Sequence, residues 1–67
     1  MDKEYLEINL PPYLMEDILN LEEGIRLNLT NRMDVLYGEL KSSINVAFHS
    51  DRITGEQAKY LRNKYLN

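Results

Sequence analysis

Leu29–Phe48, LTNRMDVLYGELKSSINVAF, is the stretch whose reading decides the fold. At about 100° per residue, Leu29, Met33, Leu36, Tyr37, Leu40, Ile44, Ala47 and Phe48 fall within an arc of roughly 120°. Val35 and Val46 lie on the opposite side. An unbroken apolar stripe of this length predicts a helix over about 30–49, with Thr30 as its N-cap and His49-Ser50-Asp51 as the turn that ends it. This helix is expected to be the spine of the domain.

Downstream, Thr54-Gly55-Glu56-Gln57 has the form of a capping box, in which Thr54 and Gln57 satisfy each other's free amides. Ile53 before the cap and Ala58 four residues into the helix occupy the two positions of a hydrophobic staple. A third helix is expected over about 55–66. Ala58, Leu61 and Tyr65 share one of its faces, and Arg62 and Lys64 lie in the last turns, where the helix dipole favours cations.

Upstream, Pro11-Pro12 separates two segments. Leu6, Ile8 and Leu10 alternate with Tyr5, Glu7 and Asn9, so residues 4–10 carry strand periodicity and are read as a short extended lead-in. Pro12 suits the first position of a helix. Leu14, Ile18, Leu21 and Ile25 then recur at helical spacing, and Tyr13, Met15 and Leu19 widen the stripe. Glu16 and Asp17 are placed near the helix N-terminus, where the dipole favours anions. The first helix is expected over about 12–26. Because a helix-interior glycine costs about 1 kcal/mol relative to alanine, a break at Gly24 is preferred to continuation as far as Leu27.

The fold class read from these segments is all-α: a single small domain, 1–67, of three helices with a short extended N-terminal lead-in. A chain of 67 residues supports only a small core, rarely worth more than about 3–5 kcal/mol. With no cysteine and one histidine, neither disulfides nor a structural zinc is available as a staple. Good helix packing or self-association is then expected to supply stability. The wide stripe of the first helix suggests a homodimer. The competing reading folds Leu6, Ile8 and Leu10 back over the stripe and leaves a monomer.

Charge is uneven. Residues 1–23 carry seven acids against Lys3, residues 24–51 balance, and residues 52–67 hold Arg52, Lys59, Arg62 and Lys64 against Glu56. This asymmetry places the two ends near each other or steers a partner. No run of roughly 18 apolar residues predicts a membrane span. The acidic start MDKEYLEINL has no signal-peptide pattern, and the absence of cysteine suits a reducing compartment, so a cytoplasmic location is expected.

Catalytic chemistry has little to draw on. His49, Ser50 and Asp51 are neighbours in sequence, but adjacency is not the geometry of a triad, and His49 is read as a solvated turn residue. Ser50–Gln57 has the outline of the second half of a calcium loop. Aligning Ile53 with the eighth loop position puts Val46, Phe48 and Ser50 at the first three ligand positions and Gln57 at the final glutamate, so calcium ligation fails. No catalytic, cofactor-binding or metal-ligating residue is assigned, and a non-enzymatic role without a small-molecule substrate is expected. Of the five tyrosines, Tyr13, Tyr37 and Tyr65 fall on apolar stripes and are read as core or core rim. Tyr5 and Tyr60 fall outside the stripes and are candidates for surface contact.

Two resemblances follow from these segments. The alternating residues 4–10, the Leu10-Pro11 junction and the two helices up to about residue 48 resemble a ribbon-helix-helix repressor, which implies a DNA-binding regulator that dimerises through paired strands. Glu7 would then face the phosphates, and the acidic N-terminal third opposes binding driven by phosphate neutralisation. The segments INLPPYL (8–14) and RITGEQAKYLRNKYL (52–66) resemble short uncharacterised helical proteins of Gram-positive bacteria and their mobile elements. That resemblance implies an accessory or regulatory role and carries no functional residue. The leading expectation is a small protein–protein interaction or regulatory module, with a protein partner or a second copy rather than nucleic acid. The alternative is the ribbon-helix-helix regulator.

Overall fold

The computed structural model describes residues 4–66, and of Glu4 and Tyr5 the backbone alone. Its elements are a 3-10 turn at Glu4–Glu7, α1 at Pro12–Arg26, a single 3-10 turn at Thr30–Arg32, α2 at Met33–His49 and α3 at Gly55–Tyr65. The chain is thus all-α with three helices, and the described residues contain no strand. Both α1 and α3 pack on α2, and the N-terminal turn packs on α3.

The α2 stripe forms the core as its spacing demands. Leu36, Leu40, Ile44 and Ala47 are buried, Met33 is half-buried, and Val35 and Val46 on the far side are exposed. Leu29, Tyr37 and Phe48, at the edges of the stripe, also reach solvent. The helix does not start at Thr30. Residues 30–32 form one tighter turn without a side-chain cap, and α2 begins at Met33 after Arg32, again uncapped. The chain enters this turn from the end of α1, where Thr30 N donates to Asn28 O, so the position of α1 rather than a capping hydroxyl sets the start.

Gly24 does not break α1, which continues to Arg26. Gly24 is buried against α2, and a Cβ built on it would stand 2.5 Å from Leu36 Cδ1. The missing Cβ lets the two helices approach closely at this seam, which offsets the poor helix propensity of glycine. α1 then closes in a Schellman arrangement: Leu29 N donates to Gly24 O at 2.9 Å and Asn28 N to Ile25 O at 3.1 Å, with Asn28 left-handed at φ 57°. α2 ends in the same way. Arg52 N donates to Ala47 O at 2.8 Å, Asp51 N donates to Phe48 O at 3.2 Å, and Asp51 has φ 60°. Asn and Asp thus occupy the positions that glycine fills most often.

α3 starts as its sequence specifies. Gln57 N donates to Thr54 Oγ1 at 3.0 Å, and Thr54 N donates to Gln57 Oε1 at 2.9 Å. Ile53 and Ala58, the staple pair, are both in the core. The Gln57 amide does a second thing: its Nε2 donates to Leu6 O at 3.1 Å and ties the lead-in to α3. Thr54→Ala should therefore lower the urea midpoint by about 1 kcal/mol in stability. An unchanged midpoint would show that the cap contributes nothing.

The lead-in is short, and its alternation is not that of a strand. After the turn at Glu4–Glu7 the chain bends at Asn9, which has φ 62°. Leu6 and Leu10 are buried and Ile8 points out at 57% exposure, because a 3-10 turn followed by a left-handed residue turns Leu6 and Leu10 inward four positions apart. Only Leu10 joins the central core. Pro11 is extended (φ −56°, ψ 146°), and Pro12 opens α1 at its first position. The first α1 amides are met by Pro11 O, which accepts from Leu14 N and Met15 N. Glu16 and Asp17 lie beyond the first turn, where the dipole acts weakly, and Asp17 instead accepts from Ser43 Oγ of α2.

Candidate interaction surface

Residues 4–10 and the end of α3 meet at Glu7. Its carboxylate accepts from Lys64 Nζ at 2.7 Å, from the Tyr65 hydroxyl at 2.5 Å and from the Tyr60 hydroxyl at 3.3 Å. The Lys64 ammonium also lies 5.2 Å from the Tyr65 ring centre and 5.7 Å from that of Tyr60. The charge asymmetry of the sequence thus has a structural use at this point. One acid of the acidic end joins one cation of the basic end. Tyr60 is half-buried in this cluster and is no surface anchor, whereas Tyr13 is exposed rather than core. The Tyr5 side chain lies outside the described residues.

Burial pushes the Glu7 carboxyl up, but the hydrogen bonds from Lys64, Tyr65 and Tyr60 together with the Lys64 charge hold it below the usual range. The hydrogen bond to Glu7 holds the Lys64 ammonium above its usual range. Burial, then the bond to Glu7, pushes the Tyr65 hydroxyl up to about 12. A carboxyl that is more acidic folded than unfolded stabilises the fold above its unfolded pKa, roughly 4.3, and loses that contribution as pH falls through the lower folded value. Stability should therefore decline below about pH 4.3, and Glu7→Ala should flatten that decline while costing of order 1–2 kcal/mol at pH 7. Urea midpoints measured from pH 7 to pH 3 for both proteins check this, and parallel acid limbs would remove Glu7 as the source.

Beside this cluster an open cleft of about 270 Å³ lies between α1 and the end of α3. Leu10 and Ile18 line it, Met15, Leu19 and Glu22 stand on its α1 side, and Tyr65 stands opposite. Met15 is 46% exposed and Leu19 59%. Of the α1 stripe, Leu14, Ile18 and Leu21 are buried and Tyr13, Met15, Leu19 and Ile25 are exposed. The stripe is covered where it meets α2; Met15 and Leu19 are open on the side towards α3, and Tyr13 faces a separate surface beside Asn9 and Arg52. Arg62, the eighth residue of α3, bonds Asn45 of α2 at 2.6 Å, so α3 runs out alongside the middle of α2. The end of the α1–α2 hairpin, with Ile25, extends past it. The cleft is smaller than the roughly 300–1,000 Å³ of small-molecule pockets.

The chemistry-bearing residues do not converge. His49 is exposed at the end of α2 with its ring 5.4 Å from that of Phe48. The Ser50 hydroxyl donates to Val46 O at 2.6 Å, and Asp51 is the left-handed residue of the helix end. Among the described residues no three His, Cys, Asp or Glu side chains stand close enough to hold a metal ion. No helix among them is long and apolar enough to cross a membrane. Residues 4–7, part of the segment whose alternation resembles the strand of a ribbon-helix-helix protein, are a 3-10 turn held to α3 through Leu6 O and Glu7. Comparison with protein-family models, curated proteins and solved structures finds no match to this chain.

Proposed function

We propose that this chain is a small non-catalytic protein–protein interaction module that makes contact through the open side of α1. The observation that carries this reading is the exposure of Met15 and Leu19 next to a cleft floored by Leu10 and Ile18. Met15, Leu19, Leu10 and Ile18 form the apolar half of a cleft whose other half is Glu7, Glu22, Lys64 and Tyr65, and contiguous exposed apolar surface marks contact sites. A regulatory role follows if the bound protein has an activity of its own.

The test compares the tagged wild-type chain with Leu19→Asp, captured from the cells that produce it. Leu19 is exposed, so the substitution costs only helix propensity, about 0.5 kcal/mol, and the fold survives. The wild-type chain should retain a discrete protein at near-equal stoichiometry, and the variant should lose it. Identical captured sets for both chains, with equal melting temperatures, would overturn the reading.

A further inference from the structure

Resting on that interaction reading, we propose that the occupant of the α1–α3 cleft is a basic amphipathic helix of a partner protein. It would lay apolar residues on Met15 and Leu19 and set Lys or Arg side chains against Glu22 and Glu16. Met15, Leu19, Glu22 and Arg26 are spaced i, i+4, i+7 and i+11, so they form one line along the exposed side of α1. The apolar half of that line, Met15 and Leu19, gives an amphipathic helix one turn of apolar contact, and the other half is charged.

Charge selects the partner. α1 carries Glu16, Asp17, Glu22 and Glu23 against Arg26. Arg26 is paired with Glu23, Asp17 accepts from Ser43, and no ion pair forms at Glu16 or Glu22 among the described residues. Lys64, on the opposite wall, is engaged by Glu7. Among the described residues the charge left unpaired in the cleft lining is therefore the Glu22 carboxylate, and Glu16 stands outside the lining on the exposed side of α1. A second copy fits poorly. A two-fold axis on this line would bring Glu16 and Glu22 of both copies onto one seam, with each Arg26 and Glu23 already paired within its own chain. Like charges brought together across an interface are repelled. A two-fold contact that sets α1 of one copy against the basic α3 of another is the arrangement that the sedimentation measurement below detects.

The probe is a fluorescein-labelled helical peptide of about 16 residues, with leucine at i, i+4, i+7 and i+11 and lysine on the flanks. Its twin carries glutamate for lysine. Anisotropy titrations use the full chain, Glu22→Lys and Leu19→Asp at low salt and at about 0.3 M. The lysine peptide should bind in the micromolar range, and about tenfold or more tighter than the glutamate twin. Glu22→Lys should weaken it about fivefold to tenfold, Leu19→Asp by more than about tenfold, and added salt should weaken the wild-type complex. Equal affinity for both peptides, or indifference to Glu22→Lys, would overturn the charge assignment; continued sensitivity to Leu19→Asp would then leave the interaction reading standing. A concentration-dependent mass above 7.9 kDa in sedimentation equilibrium, abolished by Leu19→Asp, would replace the basic helix by a second copy. Binding that ignores both substitutions would remove the cleft as a docking site and the interaction reading with it.

Discussion

Leu40→Ala should leave the domain largely unfolded at room temperature. Leu40 is fully buried near the middle of α2, within the cluster that joins Leu14, Ile18 and Leu21 of α1 to Ala58 and Leu61 of α3. Its truncation removes the buried methyl groups and leaves a cavity that rigid helices on two sides cannot close, at a cost of about 2–5 kcal/mol. A core of this size supplies about 3–5 kcal/mol, so the loss is comparable with the whole stability. Urea denaturation followed by circular dichroism checks it, with Val46→Ala as the control. Val46 is on the opposite face of α2 at 56% exposure, and its truncation should move stability by less than about 0.5 kcal/mol. A cooperative transition for Leu40→Ala near that of the wild type would place the core elsewhere.

The second large effect is expected at Gly24. Alanine there gains about 1 kcal/mol of helix propensity but sets its Cβ 2.5 Å from Leu36 Cδ1 and 3.5 Å from Met33 Sδ. Both neighbours are tips of flexible side chains, so they yield, and Gly24→Ala should stay within about 1 kcal/mol of wild type. Valine adds two further methyl groups to the same seam and forfeits much of the propensity gain, so Gly24→Val should cost about 1–3 kcal/mol. The physical cause is tested by the pair Gly24→Val with Leu36→Ala. If the collision with Leu36 is the reason, the double variant should be more stable than the sum of the single changes by about 1 kcal/mol or more. Strict additivity would show that valine acts through the helix alone.

Some of this was legible in the chain before any fold was known. The Thr54–Gln57 box, the staple at Ile53 and Ala58, and Pro12 opening α1 are interactions within four residues, so local sequence contains every atom they need. The α2 stripe was legible because one side of a long helix had a single assignment to make. Asn28 and Asp51 were available as left-handed helix ends, yet nothing local distinguishes them from the other polar residues of their turns.

What lay beyond the sequence concerns which flank of a stripe is covered and by what. The periodicity of α1 admits Ile25 or Gly24 as the next inward position, and only the approach of Leu36 decides for Gly24. It puts Ile18 in the main repeat and Met15 and Leu19 at its margin, but only the placement of Leu10 and α2 leaves that margin outside while Ile18 is buried. Glu7 and Lys64 are 57 residues apart, so no window of sequence relates them. By itself the sequence determined three helices, the order of their apolar stripes and one complete cap, because these arise from neighbours along the chain. The cleft, its acidic rim and the tether of the lead-in were decided by tertiary structure, because each depends on where the end of one helix falls against the side of another.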